Sequence, residues 1–103
     1  MTTTIAGRTV ELNEEGYLAN AADWTREMAV ELAASLGIVL SERHWKVIEY
    51  LRAETARGAG LPSIRRLKSE GVMPTKDLYE LFPDGPLKKA ALIAGLPKPA
   101  SCV

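Results

Sequence analysis

Polar and apolar residues alternate in two short runs between residues 3 and 12, and a helical period takes over after residue 20. Thr3-Thr4-Ile5 and Arg8-Thr9-Val10-Glu11-Leu12 read as two short strands joined by a tight Ala6-Gly7 connection. Asn13-Glu14-Glu15-Gly16 is a turn signal, and Tyr17-Leu18 supplies a candidate third strand. A sheet this small is marginal alone and must lie on helices.

The helical part divides into five segments. The first is predicted over 21–36, with Asn20 as N-cap, Asp23 in the first turn and Gly37 at C′. Trp24, Met28, Leu32 and Leu36 recur every four residues as its buried stripe. The second starts at the N-cap Ser41, with Glu42 favourable against the dipole and Leu40 and Trp45 placed as a hydrophobic staple. Trp45, Val47, Ile48 and Leu51 supply its core face as far as about Arg57, before Gly58-Ala59-Gly60. Shorter helices follow: Pro62 to about Glu70, Thr75 or Lys76 to Phe82, and Pro86 to Ala94. Pro62 and Pro86 suit the first turn, Thr75 an N-cap, and Gly71 and Gly95 the C′ stop. The expectation is one α+β domain over residues 1–94, followed by a flexible C-terminal arm over 95–103.

Composition narrows the function. A chain of 103 residues makes one small domain. Its 13 basic and 13 acidic side chains cancel, so no global field draws it to nucleic acid or to an anionic membrane. Its single cysteine excludes an intrachain disulfide, and no Cys/His cluster has a zinc spacing, so no metal or bound cofactor is expected. The N-terminus is too polar for a signal peptide and no apolar run reaches membrane length. A reducing cytoplasm is the expected setting, where an unpaired thiol stays available.

That thiol is Cys102, one place from the end of Gly95-Leu96-Pro97-Lys98-Pro99-Ala100-Ser101-Cys102-Val103. The two prolines bias the segment toward extended backbone, giving a reach of roughly 25 Å from Gly95 to Cys102. Such a segment reads as an arm that carries sulfur into another protein, with Gly95, Pro97, Lys98 and Pro99 as arm and partner contacts. Local chemistry alone leaves the reading of a frayed terminus beside it.

Other candidates carry less. His44 invites a Cys/His nucleophile reading. It sits at N3 of the second helix, where the dipole opposes protonation, and no Ser/Asp partner motif is visible, so a structural or binding role is expected. Arg52, Arg57, Arg65, Arg66 and Lys68 make a locally basic stretch that suits either an anionic partner or a docked thiol; the plainer reading is a solvated face. His44, Arg65 and Lys88 are the expected arm-docking or partner surface. Residues 41–82 also look like a helix-turn-helix, which gives a DNA-binding regulator as a distant alternative. Zero net charge and the acidic Asp77 and Glu80 in the candidate reading helix stand against it.

The stretch from Gly85-Pro86-Leu87 through Gly95-Leu96-Pro97-Lys98-Pro99-Ala100-Ser101-Cys102-Val103 resembles the C-terminal signature of the TusE/DsrC family of sulfur-relay proteins. The likeness continues upstream in Leu78-Tyr79-Glu80-Leu81-Phe82-Pro83, Pro62-Ser63-Ile64-Arg65, His44-Trp45, Val47-Ile48, Trp24 and Glu15-Gly16-Tyr17-Leu18. It implies a small β-meander packed on about five helices. It also implies a sulfurtransferase in the relay sense, carrying sulfane sulfur as a persulfide on Cys102. Respiratory DsrC-type members have a second cysteine eleven positions earlier, where this chain has Ala91. The single-cysteine pattern implies sulfur receipt from a TusBCD- or DsrEFH-like donor complex and delivery to a tRNA thiouridylase for 2-thiouridine formation. The alternative is a single-cysteine carrier for a dissimilatory or oxidative pathway, with a sulfite-reductase-type acceptor. Neither role calls for membrane attachment or direct nucleic-acid binding. The connection Gly71-Val72-Met73-Pro74 is shorter than in many relatives, which bears on partner identity.

Overall fold

Ala6 and Gly7 both adopt left-handed backbone, at φ 51° and 78°, and this pair folds Thr2–Ile5 (β1) back onto Arg8–Glu11 (β2). Positive φ at both turn positions matches the right-handed twist of a two-residue hairpin. The antiparallel register runs from Thr2 opposite Glu11 to Ile5 opposite Arg8. Tyr17-Leu18 returns alongside β2 but makes only one bridge, Leu12 to Leu18, so the meander's third limb is a short closing contact. Ile5, Val10, Tyr17 and Leu18 turn inward and are buried. The computed structural model describes residues 1–58 and 60–99.

Among the described residues five α-helices follow, as expected: Arg26–Ser35 (α1), Glu42–Ala56 (α2), Ile64–Ser69 (α3), Thr75–Leu81 (α4) and Pro86–Ile93 (α5). Two starts differ from the sequence expectation. Asn20 caps only a single 3-10 turn, Ala21–Asp23; Trp24 then adopts extended backbone and Thr25 becomes the N-cap of α1. The Thr25 hydroxyl accepts the Met28 N–H at 3.2 Å. Likewise α3 begins after Ser63, whose hydroxyl accepts the Arg66 N–H, which leaves Pro62 outside the helix. At the other starts the reading holds more closely. Ser41 is the N-cap of α2, Pro86 is the first residue of α5, and α4 begins at Thr75, although its N-cap is Pro74 and not Thr75 as expected. The break expected at 58–60 follows the α2 C-cap Arg57, and its Ala59 lies outside the described residues.

Three helices stop in the same way. After α1, α3 and α5 come Gly37-Ile38, Gly71-Val72 and Gly95-Leu96. In each pair the glycine N–H bonds the carbonyl two residues before the C-cap, and the next N–H bonds the carbonyl three before it. This is the Schellman arrangement, and its trailing apolar residue is buried each time. Each stop therefore also directs the outgoing chain into the core.

That core is centred on α2, whose Val47, Ile48 and Leu51 are fully buried. Met28, Ala29 and Ala33 of α1, Leu78 and Phe82, and Ala91 and Ile93 of α5 close around it. The stripe expected on α1 is rotated accordingly: Trp24 and Leu36 are only partly buried, and Ala29 and Ala33 take their places beside Met28 and Leu32. Helix α5 packs on α1, α2 and α4, while β1 lies on α1. The chain after α5 thus leaves from the middle of the helical array.

Candidate functional site

Ala100, Ser101, Cys102 and Val103 lie outside the described residues, so the site is built from the residues that launch them. At the end of α5, Gly95 stands at φ 71° and its N–H bonds the Leu92 carbonyl at 3.2 Å. The Leu96 N–H bonds the Ala91 carbonyl at 2.9 Å, and Leu96 is 2% exposed. The remaining carbonyls are taken by side chains from elsewhere. The Trp24 indole Nε1–H donates to Ile93 O at 2.8 Å. Arg52 donates to Ala94 O at 2.7 Å and, from its other terminal nitrogen, to Ala21 O at 3.1 Å. Its guanidinium carbon lies 4.2 Å from the Trp24 ring centroid. A cation also suits the negative end of a helix. Burial pulls the Arg52 guanidinium below its ordinary value, and arginine keeps its charge at neutral pH.

Packing therefore extends beyond the boundary expected after residue 94, since Gly95 and Leu96 are buried with the helix end. Pro97 and Lys98 are exposed and Pro99 is buried again. Lys98 Nζ meets Glu15 Oε2 at 2.6 Å, which ties the arm to the turn before Tyr17. Pro97, Lys98 and Pro99 form one wall of a groove of about 280 Å³, and Thr55, Gly60 and Leu61 form the other. Its surface is mainly aliphatic.

The other expected site residues lie in different surroundings. His44 Nδ1 accepts the Ser41 N–H at 3.0 Å, so the ring proton sits on Nε2, which donates to Leu81 O at 2.9 Å. The imidazole also meets Phe82 edge-on, with centroids 5.1 Å apart. His44 is thus bound into the α2 start and the end of α4. Arg65 projects from α3 with no hydrogen bond or ion pair among the described residues. Lys88 lies on α5, where its carbonyl accepts the Tyr17 hydroxyl at 3.4 Å. Burial raises that phenol above its ordinary value.

The basic stretch does not act as a unit. Arg57 and Arg66 both pair with Glu54, a carboxylate only 4% exposed, and Arg66 also reaches Glu70. Arg52 holds the arm root, and Arg65 and Lys68 face solvent. Sequence reasoning missed Glu54 and the Trp24–Arg52 pair. The available signal for Glu54 was its place in the i, i+3 row with Leu51 and Val47-Ile48 on the buried side of α2. Among the described residues no three His, Cys, Asp or Glu side chains converge as metal ligands would, and no helix is long and apolar enough to cross a membrane.

Known proteins match nearly the whole length of the chain. The family described as "DsrC like protein" matches residues 4–103. The chain belongs to the DsrC-like family. Among curated relatives, the protein named Sulfurtransferase TusE from Yersinia pseudotuberculosis is 40% identical over 94% of this chain and 96% of its own. Its namesake from Buchnera aphidicola is 42% identical over 91% of this chain and 89% of its own. Among solved structures, Allochromatium vinosum DsrC has a TM-score of 0.86 at 37% identity, covering 99% of this chain and 97% of that one. The oxidised γ-subunit of dissimilatory sulfite reductase (DsrC) from Archaeoglobus fulgidus reaches 0.82 at 36% identity, with both chains fully covered. This DsrC-like chain therefore has the α+β fold that its sequence implied, and the family match extends through Cys102.

Proposed function

We propose that this DsrC-like chain is a sulfurtransferase of the relay kind, with Cys102 as the carrier. The observation that carries the reading is a sole cysteine at position 102 in a chain about 40% identical, over nearly its full length, to proteins named Sulfurtransferase TusE. In loading, the Cys102 thiolate attacks the outer sulfur of a donor persulfide. A new S–S bond forms, the donor's S–S bond breaks, and the donor leaves as a thiolate. The transferred sulfur keeps its hydrogen and its oxidation level, so the step needs no oxidant. Delivery is the same exchange run onward: an acceptor thiolate attacks the outer sulfur and Cys102 leaves as thiolate.

This chain's own contribution is geometric and electrostatic. It holds no second thiol to compete for the sulfur, because position 91 is a fully buried alanine. The single carrier thiol favours the TusE-like role over a two-cysteine redox cycle: receipt from a persulfide-bearing donor complex and delivery to the enzyme that makes 2-thiouridine in tRNA. The test is a strain that lacks this gene, analysed for 2-thiouridine in bulk tRNA. Loss of the nucleoside, restored by the wild-type chain and not by Cys102→Ser, is the expected result. Unchanged 2-thiouridine would move the chain to another sulfur pathway.

A further inference from the structure

Helix α5 is already stopped by backbone alone. Gly95 and Leu96 donate to Leu92 and Ala91, and Leu96 seats in the core. Trp24 and Arg52 then hold the next two carbonyls, those of Ile93 and Ala94. These belong to the peptide units from which Gly95 and everything after it hangs. The second bond of the Arg52 fork reaches Ala21, so one planar group joins the arm root to the stretch that carries Trp24. The guanidinium in turn covers the indole, which fixes the ring whose N–H reaches Ile93. Gly95 lies flush on that ring, since a Cβ there would fall 2.4 Å from Trp24 Cδ1. A leucine at 52 would fill the volume without a donor, and a lysine would bring its donors on one nitrogen. The planar fork of Arg52 turns a separate nitrogen toward each carbonyl.

We infer that Arg52 and Trp24 are positioning residues for sulfur transfer, setting the direction in which the arm leaves the body. A root held in one direction gives a group carried farther along the chain a smaller region to search than a loose tail would. Confinement of a tethered group raises its effective concentration at a site within reach and lowers it elsewhere. The sense of this inference rests on the carrier reading, but its test does not.

The test uses the full chain labelled with a nitroxide on Cys102, its only cysteine. Wild type is compared with Trp24→Phe, which keeps an aromatic ring but removes the N–H and part of the indole, with Arg52→Met, and with Arg52→Lys. In wild type the label should broaden one contiguous set of domain amides, and the Leu96 and Lys98 amides should have order parameters near about 0.85. In Trp24→Phe and Arg52→Met the Lys98 value should fall below about 0.6, and the broadened set should spread around the α5 end, while amides of α2 to α4 keep their order. Arg52→Lys should fall between. Folded variants with an unchanged footprint and an ordered Lys98 would overturn the inference. So would global unfolding of all three, which would place these residues in the fold at large. No sulfur transfer is read, so the clamp and the carrier role can fail independently.

Discussion

Gly95 lies against the indole of Trp24 so closely that a Cβ would stand 2.4 Å from Cδ1 and 2.7 Å from Cγ. The ring has nowhere to go, because its N–H is bonded to Ile93 O and its face is covered by Arg52. The backbone at φ 71° is itself unfavourable for any residue with a Cβ. Left-handed strain of about 1–2 kcal/mol and an overpacking penalty of similar size therefore act together in Gly95→Ala. We expect a loss of about 2–4 kcal/mol in urea unfolding, with the slope unchanged. A loss under about 0.5 kcal/mol, the range of a neutral surface change, would contradict this packing.

Glu54 predicts an asymmetry. It is nearly buried, while its partners Arg57 and Arg66 are 71% and 35% exposed. Glutamine keeps one acceptor oxygen but turns an N–H donor toward an arginine donor, whereas removing one arginine leaves the other in place. Glu54→Gln should cost about 1–2 kcal/mol, less than a fully buried pair because both cations regain water. Arg57→Ala should cost below about 0.5 kcal/mol. Chemical denaturation of the two variants gives the comparison, and equal losses would sink it.

The surface around Tyr50 predicts a pH profile. The Tyr50 hydroxyl donates to Glu70 Oε1 at 2.6 Å, and Arg66 Nε donates to Oε2 at 2.9 Å. The Tyr50 bond first, and Arg66 second, hold the Glu70 carboxyl below its ordinary value. Its contribution is therefore present above the ordinary carboxylate range and fades as pH falls through the lowered value. The same bond raises the Tyr50 phenol, whose contribution is present below the ordinary phenol range and fades as pH rises through the raised value. Between about pH 5 and pH 9 the pair adds a small, salt-screened increment. Tyr50→Phe should lower the denaturation midpoint on that plateau and move the wild-type and variant curves together at both ends. Curves that stay parallel from acid to alkali would refute the assignment.

Local chemistry made much of this legible. Ser41, Gly37, Gly71, Gly95 and Pro86 each act within one turn of where they stand, and each did what its residue type requires. The start of α1 was misread for a long-range reason. The four-residue period runs through Trp24, but Trp24 is drawn out of the helix by Ile93, 69 positions away, and by Arg52. The same separation hid the arm root. Arg52 and Ala94 are 42 positions apart, and no spacing rule announces that pair. Pro62 was overextended into α3 because two good start residues are adjacent, and the Ser63 hydroxyl satisfies the Arg66 N–H where a proline satisfies nothing. The cysteine proposed as carrier is legible in the sequence, by contrast, because Cys102 is the only thiol in the chain.

The most direct measurement is the intact mass of the protein after incubation with a persulfide donor. The account predicts a gain of one sulfur, about 32 Da, on wild type, removed by reductant. It predicts no gain on Cys102→Ser, whose thermal midpoint should stay within about 1–2 °C of wild type because serine differs from cysteine by little volume. A reductant-sensitive sulfur adduct on Cys102→Ser, or none on wild type with a donor that loads other thiols, would contradict the central claim.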